Sequence, residues 1–437
     1  MIFVLYVSKF GGTSVCNPEM FSKVKNIIFD NPARKIVVVS ALGKQDPDDD
    51  KITNLLYLLS AYIKIGIKSD SLWKQIYDRY NDINVELKLG IDLDNEFKII
   101  KKKVGDDFDE AYLVSRGEYL AAKLMSAYLG YTFVDSADLL FFNYDKKINE
   151  EKSKEAVTKA LEKYGNIVVP GFYGVKPNGK IYLFSRGGSD VTGAYLAAYS
   201  NANKYENFTD VSGILMASPT VVENPKRIRM INYEELRELS YLGASILHEE
   251  TILPLFDTGI PIEVLNTFHP EEEGTIITKD ASDTSNIITG IAGKAHYLSI
   301  TVCKYREANK LKVMNNVFKI LENYDAIIEH VPTSIDSFTI ILERKGVYDK
   351  IYEILEQIMG VDGVNDVIFD DDIALVAVVG RNMVTKPGIS GRIFGIVGTA
   401  GINIKMITQG AKELTIIMAV SNKDLGKTIV EIYNKLN

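Results

Sequence analysis

Short apolar runs recur along this chain at 2–7, 36–40, 131–135, 167–170 and 262–266, each separated from the next by a stretch of helical periodicity. A strand followed by a helix before the next strand returns to its sheet in parallel, and a parallel sheet must be covered on both faces. The pattern therefore predicts an α/β domain. Residues 53–104 break the rhythm: Leu55, Leu58, Leu59, Tyr62 and Ile63, then Trp73, Ile76, Tyr77, Tyr80 and Ile83, recur at helical spacing. They predict a helical insertion over the ligand-bearing edge of the sheet, with its aromatic stripe in the core.

A second pattern begins near Thr289. It reads strand 298–302, helix 311–322, strand 326–331, strand 338–342 and helix 348–359. The same order then returns as strand 374–379, helix 392–397, strands 402–407 and 414–420 and helix 425–433, with Val317-Phe318-Lys319-Ile320-Leu321 echoed by Arg392-Ile393-Phe394-Gly395-Ile396-Val397. These are two βαββαβ-like units. The expected division is an α/β domain over 1–288 and a second region over 289–437, its units near 297–365 and 373–437 and open to intertwining.

With 437 residues, 46% hydrophobic and 25% charged, the chain can bury a full core. Its 50 basic and 58 acidic residues give a net charge of -8, which argues against a nucleic-acid binder working through a general positive field. Only Cys16 and Cys303 occur, so no disulfide framework or paired-cysteine metal motif is expected, and a reducing cytoplasm fits best. The apolar start is too short for a signal segment, and no run approaches the roughly 20 residues of a membrane span. No nucleic-acid or membrane partner is expected.

Three polar stretches interrupt the apolar pattern: Lys9-Phe10-Gly11-Gly12-Thr13-Ser14, Ser115-Arg116-Gly117-Glu118, and Ser185-Arg186-Gly187-Gly188-Ser189-Asp190. Glycine lets backbone N–H groups turn toward an anion, and lysine adds a full positive charge. The three are expected to be loops that meet in one active site.

In order along the chain, 9–15, 37–41 with Thr53, 115–118, 170–174, 184–190, 209–214 and 238–248 resemble the aspartokinase branch of the amino acid kinase family. The tail resembles that family's paired ACT domains, most clearly from Pro387-Gly388-Ile389-Ser390-Gly391 to Gly410. The resemblance implies a three-layer αβα kinase domain followed by two ACT-like units. It implies ATP- and Mg2+-dependent phosphorylation of the L-aspartate β-carboxylate to 4-phospho-L-aspartate, the first step of lysine, threonine and methionine biosynthesis. It further implies a cytoplasmic homo-oligomer joined through the ACT units and inhibited by an end-product amino acid, lysine ahead of threonine. The competing readings are another amino-acid or nucleotide kinase of this fold, and a non-catalytic ACT-type sensor.

A carboxylate nucleophile is already ionised at neutral pH, so such a transfer needs charge neutralisation rather than a general base. Lys9 with the Gly11 and Gly12 backbone supplies it, and Asp190 is counted with this catalytic set, supporting the substrate ammonium or the local cation network. The resemblance assigns Arg186 to the substrate α-carboxylate and Glu118 to its ammonium, with Thr13, Ser40 and Thr53 as further substrate contacts. It gives ATP to Lys9, Gly12, Thr209, Asp210 and Gly213. Leu215, Thr220 and Ser245 stand where many relatives carry a tyrosine, an arginine and a lysine, and Lys226, Arg227 or Arg229 would have to compensate. Arg116 reads as an architectural ion pair, and the acidic run 46–50 as solvated surface. None of the four histidines has metal-ligand spacing, and no protein metal ligands are expected. The effector positions are Met314, Glu329, Thr333 and Ser334, Glu329 being either the partner of a lysine side chain or a solvated charge.

Overall fold

The computed structural model describes residues 4–185, 187–243, 247, 249–281, 287–383, 386–410 and 414–436. It divides into two compact units. One comprises Met1–Ile214, Arg227–Tyr233 and Ile246–Ser282; the other comprises Leu215–Lys226, Glu234–Ser245 and Asp283–Asn437.

The first unit is built on an eight-stranded sheet. Its spatial order is Thr132–Phe133, Ile167–Pro170, Arg34–Val39, Tyr6–Phe10, Lys204–Thr209, Ile262–Asn266, Thr275–Thr278 and Met230–Asn232. All neighbours run parallel except Ile262–Asn266 against Thr275–Thr278. The middle strands are apolar without alternation because both faces are covered, and residues 36–39 and 167–169 are wholly buried. The run at 131–135 forms only the two-residue edge strand Thr132–Phe133. Asp135 ends it by accepting a hydrogen bond from Ala137 N and opening a turn at Ser136–Asp138.

The insertion consists of helices Ile52–Lys64, Asp70–Glu86 and Leu93–Asp106, packed with helix Glu110–Leu129. Leu55, Leu59, Trp73, Ile76, Tyr80, Ile83 and Phe97 join Phe10 and Val39 in one core cluster. Leu58 departs from the expected stripe and is 42% exposed. The stretch 115–118 is also not a loop, for it lies within Glu110–Leu129, a helix capped at its start by Asp109 and closed by Gly130 in the left-handed region.

The second unit is an antiparallel six-stranded sheet in the order Ile328–His330, Ser337–Glu343, Gly290–Lys304, Val364–Val379, Thr415–Val420 and Met406–Gln409. Helices Lys310–Asn323, Ile351–Met359, Ile389–Thr399 and Leu425–Leu436 accompany it. The two long central strands serve both repeats. Residues 297–304 pair with 364–373 and 337–343, whereas 290–294 pair with 375–379, which in turn pair with 415–419. The run at 402–407 becomes a strand only from Met406. Before it, Gly401 takes a positive φ and Ile402 N reaches back to Val397 O, closing the preceding helix.

Candidate active site

The strand order reverses at the centre of the first unit's sheet. Tyr6–Phe10 is followed outward on one side by Arg34–Val39 and on the other by Lys204–Thr209. Parallel strands end on the same edge, and where their order reverses the loops diverge and leave a crevice beyond the carboxyl ends. A cleft of about 470 Å³ lies there, lined by Lys9, Gly11, Gly12, Thr13, Ser40, Thr53, Glu118, Asp190, Thr209 and Asp210. Ten expected residues, separated by up to two hundred positions in sequence, thus share one cavity. Gly213 is not among its lining. Its φ of +87° and its N–H bond to Val211 O make it part of a turn against Thr275. Arg186 and Ser245 lie outside the described residues, while Ser185, Gly187, Gly188 and Ser189 beside Arg186 line the cleft.

Lys9 is 7% exposed and its Nζ stands 2.5 Å from Asp190 Oδ1. Asn207 bridges the pair: its Oδ1 accepts from Lys9 Nζ at 3.3 Å, and its Nδ2 donates to Asp190 Oδ1 at 3.2 Å. Asp190 therefore belongs to the cation network. It sits in the first turn of helix Gly188–Tyr199, which starts from Gly187 in the left-handed region. Asn207 was missed by motif reading, and its signal is a polar residue in the middle of a buried strand, Lys204–Thr209.

The glycine turn packs without room for side chains. A Cβ on Gly12 would lie 2.9 Å from Ala41 O, and one on Gly43 would lie 2.5 Å from the Gly12 carbonyl carbon. Gly43 N donates to Gly12 O at 2.8 Å and Ser40 N to Phe10 O at 3.1 Å, so the turns after the first two strands are bonded to each other. Helices Ile52–Lys64 and Gly188–Tyr199 both begin at the cleft, with Lys51 and Thr53 at the start of one and Ser189 and Asp190 at the start of the other. Gly11 N donates to Phe208 O at 3.1 Å, so the expected Gly11 donor is already used, and the two helix starts with Lys9 are the groups that could meet an anion.

Glu118 is 3% exposed and its Oε2 has no partner among the described residues. Burial pushes its carboxyl up to about 8, against the opposing pull of backbone N–H groups and Arg116. Arg116 forms no ion pair among the described residues. Its guanidinium lies 4.5 and 4.4 Å from the ring centres of Tyr112 and Tyr119 and donates to Tyr112 O and Ser115 Oγ, so it is architectural through aromatic stacking. Asp49, in the acidic run expected to be solvated, is instead paired with Arg79 at 2.5 Å.

Leu215 and Thr220 fall in the second unit, where Thr220 Oγ1 bonds Ser218 Oγ. Arg227 pairs with Glu273, which leaves it poorly placed to compensate for an absent cation. Among the described residues no group of three or more histidine, cysteine or acidic side chains could hold a metal, and no helix is long and apolar enough to cross a membrane. In the second unit, Met314 lies on helix Lys310–Asn323 and Glu329 on strand Ile328–His330, with Thr333 and Ser334 in the exposed turn beyond. Glu329 is not a solvated charge: its Oε2 is buried without a partner among the described residues, and it raises the neighbouring Tyr241 and Tyr297 phenols, already raised by burial.

The model of the amino acid kinase family matches residues 5–266, and an ACT domain model matches 376–436. Aspartokinase 3 of Bacillus subtilis is 35% identical over 447 residues, covering 98% of both chains. This chain belongs to the amino acid kinase family, in its aspartokinase branch. Among solved structures, aspartate kinase of Clostridium acetobutylicum matches this aspartokinase-branch chain with a TM-score of 0.94 at 40% identity, covering 99% of this chain and 100% of that one. Aspartokinase III of E. coli, in complex with aspartate and ADP, shares the fold with a TM-score of 0.74 at 23% identity and 99% coverage of each.

Proposed function

We propose that the protein transfers the γ-phosphoryl group of ATP to the β-carboxylate of L-aspartate, yielding 4-phospho-L-aspartate. The observation that carries this reading is Lys9, held by Asp190 and Asn207 against the Gly11–Gly12 turn in the same cleft as the buried Glu118. Two anions must approach each other, and a fixed cation with backbone donors lowers that barrier most where charge accumulates on the transferring group. Asp190 and Asn207 keep the ammonium aimed at that point. Glu118 receives the substrate ammonium, and the residues around Ser40, Thr53 and Ser185 receive the rest of the amino acid, with Arg186 on its α-carboxylate. Thr209 and Asp210 lie toward the nucleotide. Mg2+ carried by the triphosphate would supply further neutralisation of phosphate charge beside Lys9. The names of the Bacillus and Clostridium relatives support aspartate as the acceptor. Hydroxamate trapping of the acyl phosphate across aspartate, glutamate and acetylglutamate tests the assignment. Aspartate is expected to give the product, and a preference for either other acceptor overturns it.

The second unit is an effector-binding and oligomerising region in the same reading, serving feedback control of lysine, threonine and methionine synthesis in the cytoplasm. Its support is the Glu329 carboxylate, whose buried Oε2 has no hydrogen-bond partner among the described residues and suits the ammonium of a lysine side chain. The edge strand Ile328–His330, with Ile327 53% and Ile335 85% exposed, supports pairing with a second copy. Titration calorimetry with lysine and with threonine, run beside activity, tests the effector. Lysine is expected to bind and inhibit cooperatively, and no binding or inhibition by either removes the regulatory assignment.

A further inference from the structure

The helix Asp70–Glu86 belongs to the insertion, yet two consecutive side chains on it reach the walls of the cleft. Arg79 is 8% exposed. Its Nη2 donates to Gly43 O at 2.7 Å, while its Nη1 donates to Asp49 Oδ2 at 2.5 Å and Asp50 O at 3.3 Å, so one guanidinium ties together both ends of the 43–50 segment. Gly43 N in turn donates to Gly12 O at 2.8 Å, and Gly43 packs so tightly that a Cβ there would lie 2.6 Å from Thr13 N. A relay of two hydrogen bonds thus runs from Arg79 to the lysine-glycine turn. The next residue, Tyr80, donates its hydroxyl to Gly117 O at 2.8 Å, the carbonyl adjoining Glu118.

We propose that Arg79 is a positioning residue for phosphoryl transfer. By fixing Gly43 it sets the 40–43 turn, which carries the acceptor side of the cleft, against the Gly11–Gly12 turn, which carries the donor side. The proposal rests on the phosphotransfer reading above. A planar fork can serve a carbonyl and a carboxylate at once, whereas a lysine ammonium is a single point on a flexible stem. Displacement of reacting groups by about 1 Å is enough to cost about a hundredfold in rate.

Arg79→Ala is therefore expected to lower kcat about 30- to 100-fold while aspartate KM changes by less than about threefold. Added guanidinium chloride, below denaturing concentration, restores a substantial part of kcat. Amide exchange in 40–50 quickens by about tenfold or more. Should Arg79→Ala fail to fold, Arg79→Lys keeps charge and bulk and is expected to lower kcat about tenfold with unchanged thermal midpoint. Turnover of the folded variant within twofold of wild type, or an alanine variant that guanidinium leaves unchanged, overturns the proposal. The ratio is read on whichever acceptor the wild type phosphorylates, so a wrong acceptor would sink the aspartate reading and leave this one standing.

Discussion

Glu118 carries the clearest residue-level consequence. Burial lifts its carboxyl from 4.5 to about 8, so at neutral pH the empty cleft holds it mostly protonated. An ammonium bound beside it favours the carboxylate and lowers that value, so aspartate binding should expel close to one proton at pH 7 and tighten as pH rises toward about 8. Calorimetry in buffers of different ionisation enthalpy reads that proton directly. No release, or equal release from Glu118→Gln, contradicts the assignment. The same shift sets a stability trend. The folded state holds the proton more tightly than the unfolded chain, so this group's contribution declines from about pH 4.5 to about 8. Lys9 was legible in the sequence because lysine before paired glycines is a local pattern. Asp190 was already counted with it, but Asn207 was not: it reaches Lys9 only through parallel pairing of 6–10 with 204–208, which no local spacing reveals. Asn207→Ala is expected to lower kcat about tenfold by freeing the Lys9 ammonium, and steady-state kinetics with unchanged kcat would show that Asp190 alone suffices.

At the scale of elements, apolar runs and helical periodicity placed the buried strands well and their ends less well. Strand 167–170 was legible to the residue because it is apolar and buried on both faces, whereas 131–135 and 402–407 were overextended because Asp135 and Gly401 turn the chain locally. The Ser115–Glu118 stretch was misread for a different reason. Gly117 looked like a turn residue, yet it sits inside a helix, where a Cβ would lie 2.9 Å from Ala41 Cβ and 3.1 Å from Leu56 Cδ1. Its glycine serves close approach of the helix that delivers Glu118. Gly117→Ala gains about 1 kcal/mol of helix propensity but overpacks this contact by about 1–3 kcal/mol. The expected result is a lower thermal midpoint by calorimetry and weaker aspartate binding; a stabilised variant with normal binding contradicts this packing account.

Across the whole molecule, the doubled strand and helix pattern was legible after residue 297, but the sharing of two long strands between the repeats was not. Register between 290–304 and 364–379 depends on bulges in both strands, which periodicity does not encode. The exposed isoleucines at the edge of that sheet belong to the proposed self-association. Ile335→Lys, at an 85% exposed site, should weaken it without unfolding the chain, read as a shift toward the monomer in sedimentation velocity; an unchanged distribution would place the contact elsewhere. The central claim concerns the cleft in the first unit, and Lys9→Ala tests it most directly. Aspartyl hydroxamate formation and aspartate affinity should be measured on the same preparation. The expected outcome is a kcat reduced about 100- to 1,000-fold with aspartate affinity within a few-fold of wild type. Near-normal turnover with lost aspartate affinity would contradict the role given to Lys9 and, with it, the transfer chemistry assigned to this cleft.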